Sequence, residues 1–280
     1  MDFFQGTVLV VVLPTSILSV EHGLALKSIR IHQVARWASI FGVKEVVFYK
    51  EASTNLEEFE EHERLLRDHW SYFFTPPYLR KQLVPLTPTL KYVGILPPIR
   101  LDVFNVSRKP RQGEVRLGYV FEDDQGKMRS HVGDTAIYTV INKCSKTGLI
   151  PVRVIDVNKH LVECIDGNSI YKGPNLRFAR SLKEIVIELA KNVDYLIATD
   201  RRGVLPEEKD IVKMRGKSIA VLFGSPRFDL FEISSQEGFD LVKYVDYIWN
   251  TIPRQRVVTI RTEEALIITL GIINAFLRGG

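Results

Sequence analysis

Apolar and polar positions near the N-terminus follow two alternating patterns. Residues 7–13 form an unbroken apolar run, which is typical of a strand covered on both faces of a parallel sheet. Apolar side chains then recur at helical spacing from Leu26 to Phe41, and Gly42 ends that pattern. Residues 45–49 return to a short apolar run. The order of strand, helix and strand predicts a parallel α/β unit.

The pattern changes beyond residue 90, after a largely helical segment from 55 to 83 and a cluster of prolines. Short β-rich pieces separated by turn residues predict five strands without a long helix: Tyr92–Leu96, Val115–Phe121, Thr135–Val140, Ile150–Asn158 and His160–Ile165. Residues 123–126 predict a hairpin turn. This arrangement favours a small closed barrel of the OB type.

The α/β pattern returns after Tyr171. Ser181 and Glu184 have the spacing of a capping box before a helix that runs to about Lys191. Three further strands are predicted at Tyr195–Ala198, Ser218–Phe223 and 245–250. We therefore expect an α/β domain formed by residues 1–90 and 171–280, interrupted by a β module at 91–170.

The C-terminal segment reads as strand, polar loop and buried helix. Thr262 is placed to cap the helix, and Glu263 and Glu264 lie in its first turn, where carboxylates offset the helix dipole. The following residues are apolar on almost every side, so protein must cover them, either from this chain or from a second copy. The helix is too short to span a bilayer. An ordinary core helix beside a solvated loop is the alternative.

Positive charge is concentrated in the middle of the chain. The whole chain has a formal net charge of +5, whereas residues 91–180 alone hold 15 Lys or Arg and 9 Asp or Glu, a net +6. This favours a polyanionic partner, although an ordinary soluble surface is the alternative. Tyr119, Phe121 and Tyr138 could stack on bases or fill the barrel. The expected phosphate contacts are Arg108, Lys109, Arg111, Arg116, Lys127, Arg129 and His131.

Several classes of protein lose support from the motifs. The chain contains no Gly-x-Gly-x-x-Gly after a strand, no P-loop, no His-Glu-x-x-His and no Gly-x-Ser-x-Gly. The six histidines are scattered, so no metal site is expected. Cys144 and Cys164 are spaced too far apart for a zinc knuckle and are too few for a disulfide framework, which favours a cytoplasmic protein. The N-terminal apolar run is too short for a membrane segment.

Polar loops follow the strands of the second half, at 198–203, 223–227 and 250–259, and such loops place ligands in α/β proteins. At these loops the chain resembles the SPOUT superfamily of RNA methyltransferases, in the branch that carries an inserted OB-like module. The residues that carry the resemblance are Arg30–Arg36, Lys91–Pro98, Tyr171–Gly173 with Arg177, Ala198-Thr199 with Arg202-Gly203, Leu222–Gly224, Asn250–Pro253 with Gln255, and Ile260–Ala265.

The resemblance implies a trefoil knot formed by the three loops, which would hold S-adenosylmethionine. It also implies a homodimer with the C-terminal helix at its interface. The adenine would contact main-chain amides near Leu222–Ser225 and Val258–Ile260. The full set of cofactor-binding residues implied is Thr199, Gly203, Leu222, Phe223, Gly224, Ser225, Asn250, Ile252, Gln255, Val258, Thr259, Ile260 and Thr262.

Methyl transfer requires an aligned acceptor atom and, for some acceptors, removal of its proton. Candidates for these tasks are Arg36, Arg202, Arg261 and Glu264. A local ion pair that fixes the loop is the alternative role for Arg261 and Glu264. Two positions depart from the family pattern: Arg256-Val257 replaces a Gly-Ser-like pair after Gln255, and Asp229-Leu230 replaces a Gly-Leu step.

The expected activity is methylation of RNA, with ribosomal RNA and a pyrimidine base nitrogen favoured over a ribose hydroxyl. A non-enzymatic RNA-binding protein that keeps the fold is the first alternative. An oxidoreductase or hydrolase with an accessory barrel is the second.

Overall fold

The structure is a computed structural model that describes residues 6–165 and 170–278. The described residues form two units. The first comprises residues 6–70, 88–96 and 173–278, and the second comprises 71–87 and 97–172.

The first unit contains a six-stranded parallel sheet with the strand order β11-β9-β10-β1-β2-β8. β1 lies in its middle and is buried along almost its whole length, as its apolar run predicts. The first part of this unit contains, in order, β1 (Val8–Pro14), α1 (Leu24–Ile40), β2 (Glu45–Tyr49) and most of α2 (Leu56–Phe74), whose last turn belongs to the second unit.

The second unit contains a closed barrel with the strand order β3-β4-β5-β7-β6. A short helix, α3 (Arg80–Leu83), precedes it. The barrel strands are β3 (Val115–Glu122), β4 (Met128–His131), β5 (Tyr138–Val140), β6 (Gly148–Asp156) and β7 (Leu161–Cys164). Valine and isoleucine side chains fill its interior together with Tyr138.

One predicted strand of this segment was wrong, and one strand was missed. Tyr92–Leu96 is not a strand, because Val93–Ile95 form a single 3-10 turn. The fifth strand is instead β4, which follows the predicted hairpin turn and pairs antiparallel with β3. Its polar composition hides it from a search for apolar runs.

The two cysteines form a disulfide bond, with 5.7 Å between their Cα atoms. Beside it, the side chain of Asn142 accepts a hydrogen bond from the amide of Cys164 and donates one to its carbonyl. The sequence predicted no disulfide framework, and this single bond joins the segment after β5 to the end of β7.

The chain then returns to the sheet of the first unit. The two carboxylate oxygens of Glu237 accept hydrogen bonds from the amides of Leu182 and Lys183 at the start of α4, where Ser181 caps the helix as predicted. The elements are β8 (Asn175–Ala179), α4 (Leu182–Asn192), β9 (Tyr195–Val204), α5 (Glu208–Val212), β10 (Ser218–Leu222), α6 (Leu230–Gln236), β11 (Tyr247–Trp249) and α7 (Thr262–Arg278).

The C-terminal helix α7 begins at Thr262, which is one residue earlier than predicted, because Thr262 was expected to be the capping residue before the helix. Arg261 is the residue before the first turn, and its amide donates to the carboxylate of Glu264. Thr262 lies inside the helix, and its hydroxyl donates to the carbonyl of Gly224 over 3.0 Å. The inner face of α7 is buried and consists of Leu266, Leu270 and Ile273. Within the described ranges, none of the helices has both the length and the apolar content needed to cross a bilayer.

Candidate active site

Three chain segments meet at the carboxyl ends of β9, β10 and β11. The first was predicted as a loop at 198–203 but is a bulge within β9. Pairing with β11 shifts from Ala198 opposite Ile248 to Val204 opposite Trp249, so residues 199–203 leave the ladder. The second segment is the turn after β10, and the third is the long connection from β11 to α7. Together they enclose a cavity of about 390 Å³.

Eleven of the residues expected to contact a methyl donor line this cavity. They supply hydroxyl groups, apolar side chains and the backbone of one compact turn. In that turn, the amide of Ser225 donates to the carbonyl of Phe228 over 2.9 Å. The eleven are Thr199, Phe223, Gly224, Ser225, Asn250, Ile252, Gln255, Val258, Thr259, Ile260 and Thr262.

Gly203 and Leu222 do not line the cavity. A Cβ atom at Gly203 would lie 2.5 Å from the carbonyl oxygen of Ile248, so glycine is needed there for the close approach of β9 and β11. Leu222 is fully buried in the sheet, and its carbonyl accepts the hydroxyl of Thr199 over 2.8 Å. Both residues therefore shape the site through the backbone.

The connection from β11 to α7 is held at the end that follows β11. The side-chain amide of Asn250 donates to the carbonyl of Arg201, and the hydroxyls of Thr251 and Thr269 are 2.8 Å apart in a buried contact. In the middle, Nε2 of Gln255 donates to the carbonyls of Val257 and Val258. The loop is thus shaped largely by its own polar side chains.

Arg202, a candidate catalytic residue, does not line the cavity but holds two carboxylates that do. Its guanidinium is 2.8 Å from Asp200 and 2.7 Å from Asp229, and it lies over the ring of Phe231. The hydrogen bond that Arg202 donates to Asp200 holds the pKa of Arg202 above its usual range. The arrangement fixes both carboxylates in the cavity wall.

Arg261 belongs to a second ionic group, beside the start of α7. Its guanidinium is 2.9 Å from the carboxylate of Glu21, which also binds the buried guanidinium of Arg30. Arg30 in turn pairs with buried Glu263. Glu264 contacts the backbone of Arg261, so both predicted residues take part in local contacts that fix the loop.

Arg36, the remaining catalytic candidate, is exposed on α1 and does not line the cavity. The cavity does include residues that the sequence analysis did not name as candidates, among them Asp200, Arg201, Arg227 and Glu232. Three of these lie inside the quoted loops, where their charge was the available signal. Trp249 also lines the cavity, and its indole Nε1 has no hydrogen-bond partner among the described residues.

The residues present suit a methyl donor of the S-adenosylmethionine type. Carboxylates in the wall favour a cationic sulfonium, while Phe223, Ile252 and Ile260 offer apolar surface to a ring. Trp249 contributes to the wall from a fully buried position. The described residues include no group of His, Cys, Asp and Glu that could hold a metal ion.

In the second unit, the candidate RNA contacts differ in exposure. Arg108, Lys109, Arg111 and Lys127 are exposed, and Arg129 is partly buried with its guanidinium 2.8 Å from Asp123. The prediction that Arg116 contacts phosphate was wrong.

Arg116 is fully buried and cannot reach a phosphate from its position. Its guanidinium lies 4.4 Å from the centre of the Tyr78 ring and pairs with Glu114. Tyr138, a candidate stacking ring, is also fully buried, and its hydroxyl donates to Asp134. Both side chains therefore support the barrel unit from within.

A family model described as "Putative RNA methyltransferase" matches residues 8–273. The chain is also similar to curated proteins over most of its length. An uncharacterised protein of Halobacterium salinarum is 25% identical over 93% of this chain and 96% of its own. The 28S rRNA (uridine-N(3))-methyltransferase of Drosophila melanogaster is 25% identical over 94% of this chain and 61% of its own.

The human 28S rRNA (uridine-N(3))-methyltransferase is 26% identical over 94% of this chain and 77% of its own length. The family match spans nearly all of the described residues, including the three segments around the cavity. The resemblance to RNA methyltransferases is therefore confirmed, and the chain belongs to this RNA methyltransferase family.

Proposed function

We propose that this enzyme transfers a methyl group from S-adenosylmethionine to a pyrimidine base nitrogen in ribosomal RNA. The observation that carries the proposal is the cavity at the ends of β9, β10 and β11, whose lining includes eleven expected donor contacts. Relatives named as 28S rRNA (uridine-N(3))-methyltransferases support both the ribosomal substrate and the base nitrogen.

The bound donor would supply an activated methyl group on a positively charged sulfur. The chain's own residues would then bind and orient the reactants. Asp200 and Asp229, fixed by Arg202, present negative charge to the donor cation. Glu232 lines the cavity, and its carboxylate accepts the amide of Asp229, which fixes a proton acceptor at the wall.

The direct test combines binding and transfer. Isothermal titration with S-adenosylmethionine should show saturable binding, and no binding at millimolar donor would overturn the proposal. Incubation of the protein with tritium-labelled donor and unmodified ribosomal RNA should then label the RNA, and nucleoside analysis should place the label on a pyrimidine base. Label on ribose would contradict the choice of acceptor.

An inactive RNA-binding protein remains the alternative, because Arg256 and Asp229 depart from the family pattern. Arg256 is exposed and does not line the cavity. Asp229 makes an ion pair and caps α6. Both side chains are thus accommodated without filling the cavity, which favours the active enzyme.

We further propose the knot, the dimer and the domain assignment. The bond from Thr262 to Gly224 brings the C-terminal chain against the turn after β10, as a knot requires. A homodimer would cover Leu26, Ile29 and Ile268, which are exposed on α1 and α7. Light scattering should give twice the 32.0 kDa of one chain.

The module at 91–170 would be an OB-like insert in a domain formed by 1–90 and 171–280. The strand order of the closed barrel supports this assignment. We infer a cytoplasmic location from the ribosomal substrate. Fractionation of cells should then place the protein with the cytoplasmic ribosomes.

A further inference from the structure

Three aromatic side chains lie side by side on the outer surface of the barrel. Tyr119 and Phe121 alternate along β3 with buried Val120, and their ring centres are 6.2 Å apart with 27° between the planes. His131 lies opposite Tyr119 on β4. Its ring stacks on Phe121, with 5.2 Å between centres and 22° between planes. We call these three side chains the aromatic platform.

The aromatic platform does not belong to the barrel core. Side chains alternate between the two faces of a strand, and the buried face of β3 contributes Val120 to the core cluster that includes Val132 and Val152. The three rings are only partly buried. Three adjacent, nearly parallel rings on the outer face of a small barrel indicate a contact surface, since core packing does not require them there.

Charges flank the aromatic platform unequally. On one side, Leu149 pairs with Tyr119, and Lys172 donates to the carbonyl of Leu149 over 3.3 Å. Burial, and to a smaller extent the positive charge of Lys146, lowers the pKa of Lys172. At the opposite end, the hairpin carries acidic residues, of which Asp123 is neutralised by Arg129.

We propose that the aromatic platform binds unpaired ribonucleotides, with the bases stacked on the rings of Tyr119, Phe121 and His131 and the phosphates toward Lys146 and Lys172. Rings stack on the face of any base, whereas bases inside an A-form helix do not expose their faces. The partner is therefore a single-stranded segment of RNA. The choice of RNA rests on the proposed function, but the rings themselves do not depend on methyl transfer.

The test measures binding of the full-length protein to a fluorescent 12-nucleotide single-stranded RNA of mixed sequence, without methyl donor. Anisotropy should show Phe121→Ala and His131→Ala each raising Kd by about 10-fold. Phe121→Trp should bind as the wild type does, because it keeps a stacking ring. Ile137→Ser, at an exposed apolar position of the same unit, is the matched control and should bind as the wild type does.

A hairpin RNA of the same composition serves as the competing ligand. Its Kd should change less than twofold in the ring variants, and the salt dependence of single-strand binding should stay the same because phosphate contacts remain. Unchanged single-strand binding in the ring variants would overturn the proposal, as would equal losses for both RNAs.

Failure of this proposal can be separated from failure of the proposed function. Methyl transfer by a protein whose ring variants bind single strands normally would refute the aromatic platform alone. Ring-dependent binding by a protein that transfers no methyl group would refute the proposed function alone. Circular dichroism of each variant would show that the barrel is folded.

Discussion

The guanidinium of Arg202 lies 2.7 Å from the carboxylate of Asp229, which joins the bulge in β9 to the start of α6. Asp229 also accepts the amides of Phe231 and Glu232, while the Glu232 carboxylate accepts the amide of Asp229. One carboxylate thus caps a helix and holds the arginine. The residue that departs from the family's glycine has a definite structural role beside the cavity.

Substitutions at Asp229 should separate these two roles. Asp229→Ala removes both the cap and the ion pair, and we expect it to lower the free energy of unfolding by about 1 kcal/mol. Asp229→Ser keeps an oxygen that can cap the helix and should lose less than half as much. Urea unfolding measures the difference, and equal losses in the two variants would contradict a role for the cap.

Gly203 should tolerate no side chain, with or without ligand. An added Cβ would meet backbone atoms of Ile248 and Trp249 within 2.7 Å, and backbone cannot move aside cheaply. We expect Gly203→Ala to lower the free energy of unfolding by about 2 kcal/mol or more. Gly94→Ala is the control, since an added Cβ there meets nothing within 4 Å. A stable Gly203→Ala variant with weak donor binding would instead favour direct ligand contact.

The apolar patterns correctly predicted those strands that are marked by an unbroken run of apolar residues in the chain itself. Residues 7–13 and 45–49 were placed as buried strands, and the structure forms β1 and β2 there. β8 was missed because Asn175–Ala179 contains Arg177, whose guanidinium pairs with Glu45 and Glu188 at the edge of the sheet. A strand with one free edge needs few apolar side chains.

Features that depend on distant parts of the chain could not be predicted. The bulge in β9 arises from a shift in its pairing with β11, and no local residue marks that shift. Arg116 was expected at the RNA because it is charged, but the ring of Tyr78 and the carboxylate of Glu114 hold it in the interior. The cavity could be expected from the ends of the strands, whereas the partners of each charge could not.

Neighbouring glutamates at the start of α7 should differ in their effect on stability. Glu263 is buried and pairs with Arg30, so Glu263→Gln leaves a buried cation with one carboxylate partner fewer. We expect a loss of about 2–3 kcal/mol in the free energy of unfolding. Glu264→Gln is exposed and keeps an oxygen for the amide of Arg261, so its loss should stay below about 1 kcal/mol. Equal losses in urea unfolding would contradict the buried network.

Acid should destabilise the sheet unit through His62. This residue is fully buried on α2, and neither of its ring nitrogens has a hydrogen-bond partner among the described residues. Burial, with Lys27 nearby, lowers its pKa from the ordinary 6.5 to about 4, despite the opposing charges of Glu58 and Glu61. Below pH 6.5 the unfolded chain therefore binds a proton that the folded chain does not.

It follows that the neutral imidazole of His62 stabilises the folded state fully above about pH 6.5, and that this stabilisation is lost as the pH falls toward 4. Between pH 7 and 4.5, protonation of His62 in the unfolded chain should lower the free energy of unfolding by about 2–3 kcal/mol. Burial also lowers the pKa of His69, which adds a loss of the same sign. His62→Leu should therefore reduce the acid loss without abolishing it, while His22→Gln, at an exposed position, should leave it unchanged.

Tryptophan fluorescence can follow this unfolding specifically, because Trp37, Trp70 and Trp249 all lie in the sheet unit. Urea titrations at the two pH values give the acid loss for each variant as the difference between two free energies of unfolding. If His62→Leu loses as much stability in acid as the wild type, the proton is taken up elsewhere. A smaller loss in His62→Leu alone would assign the acid sensitivity to the unpartnered imidazole, because the control removes a histidine that solvent already reaches in the folded state.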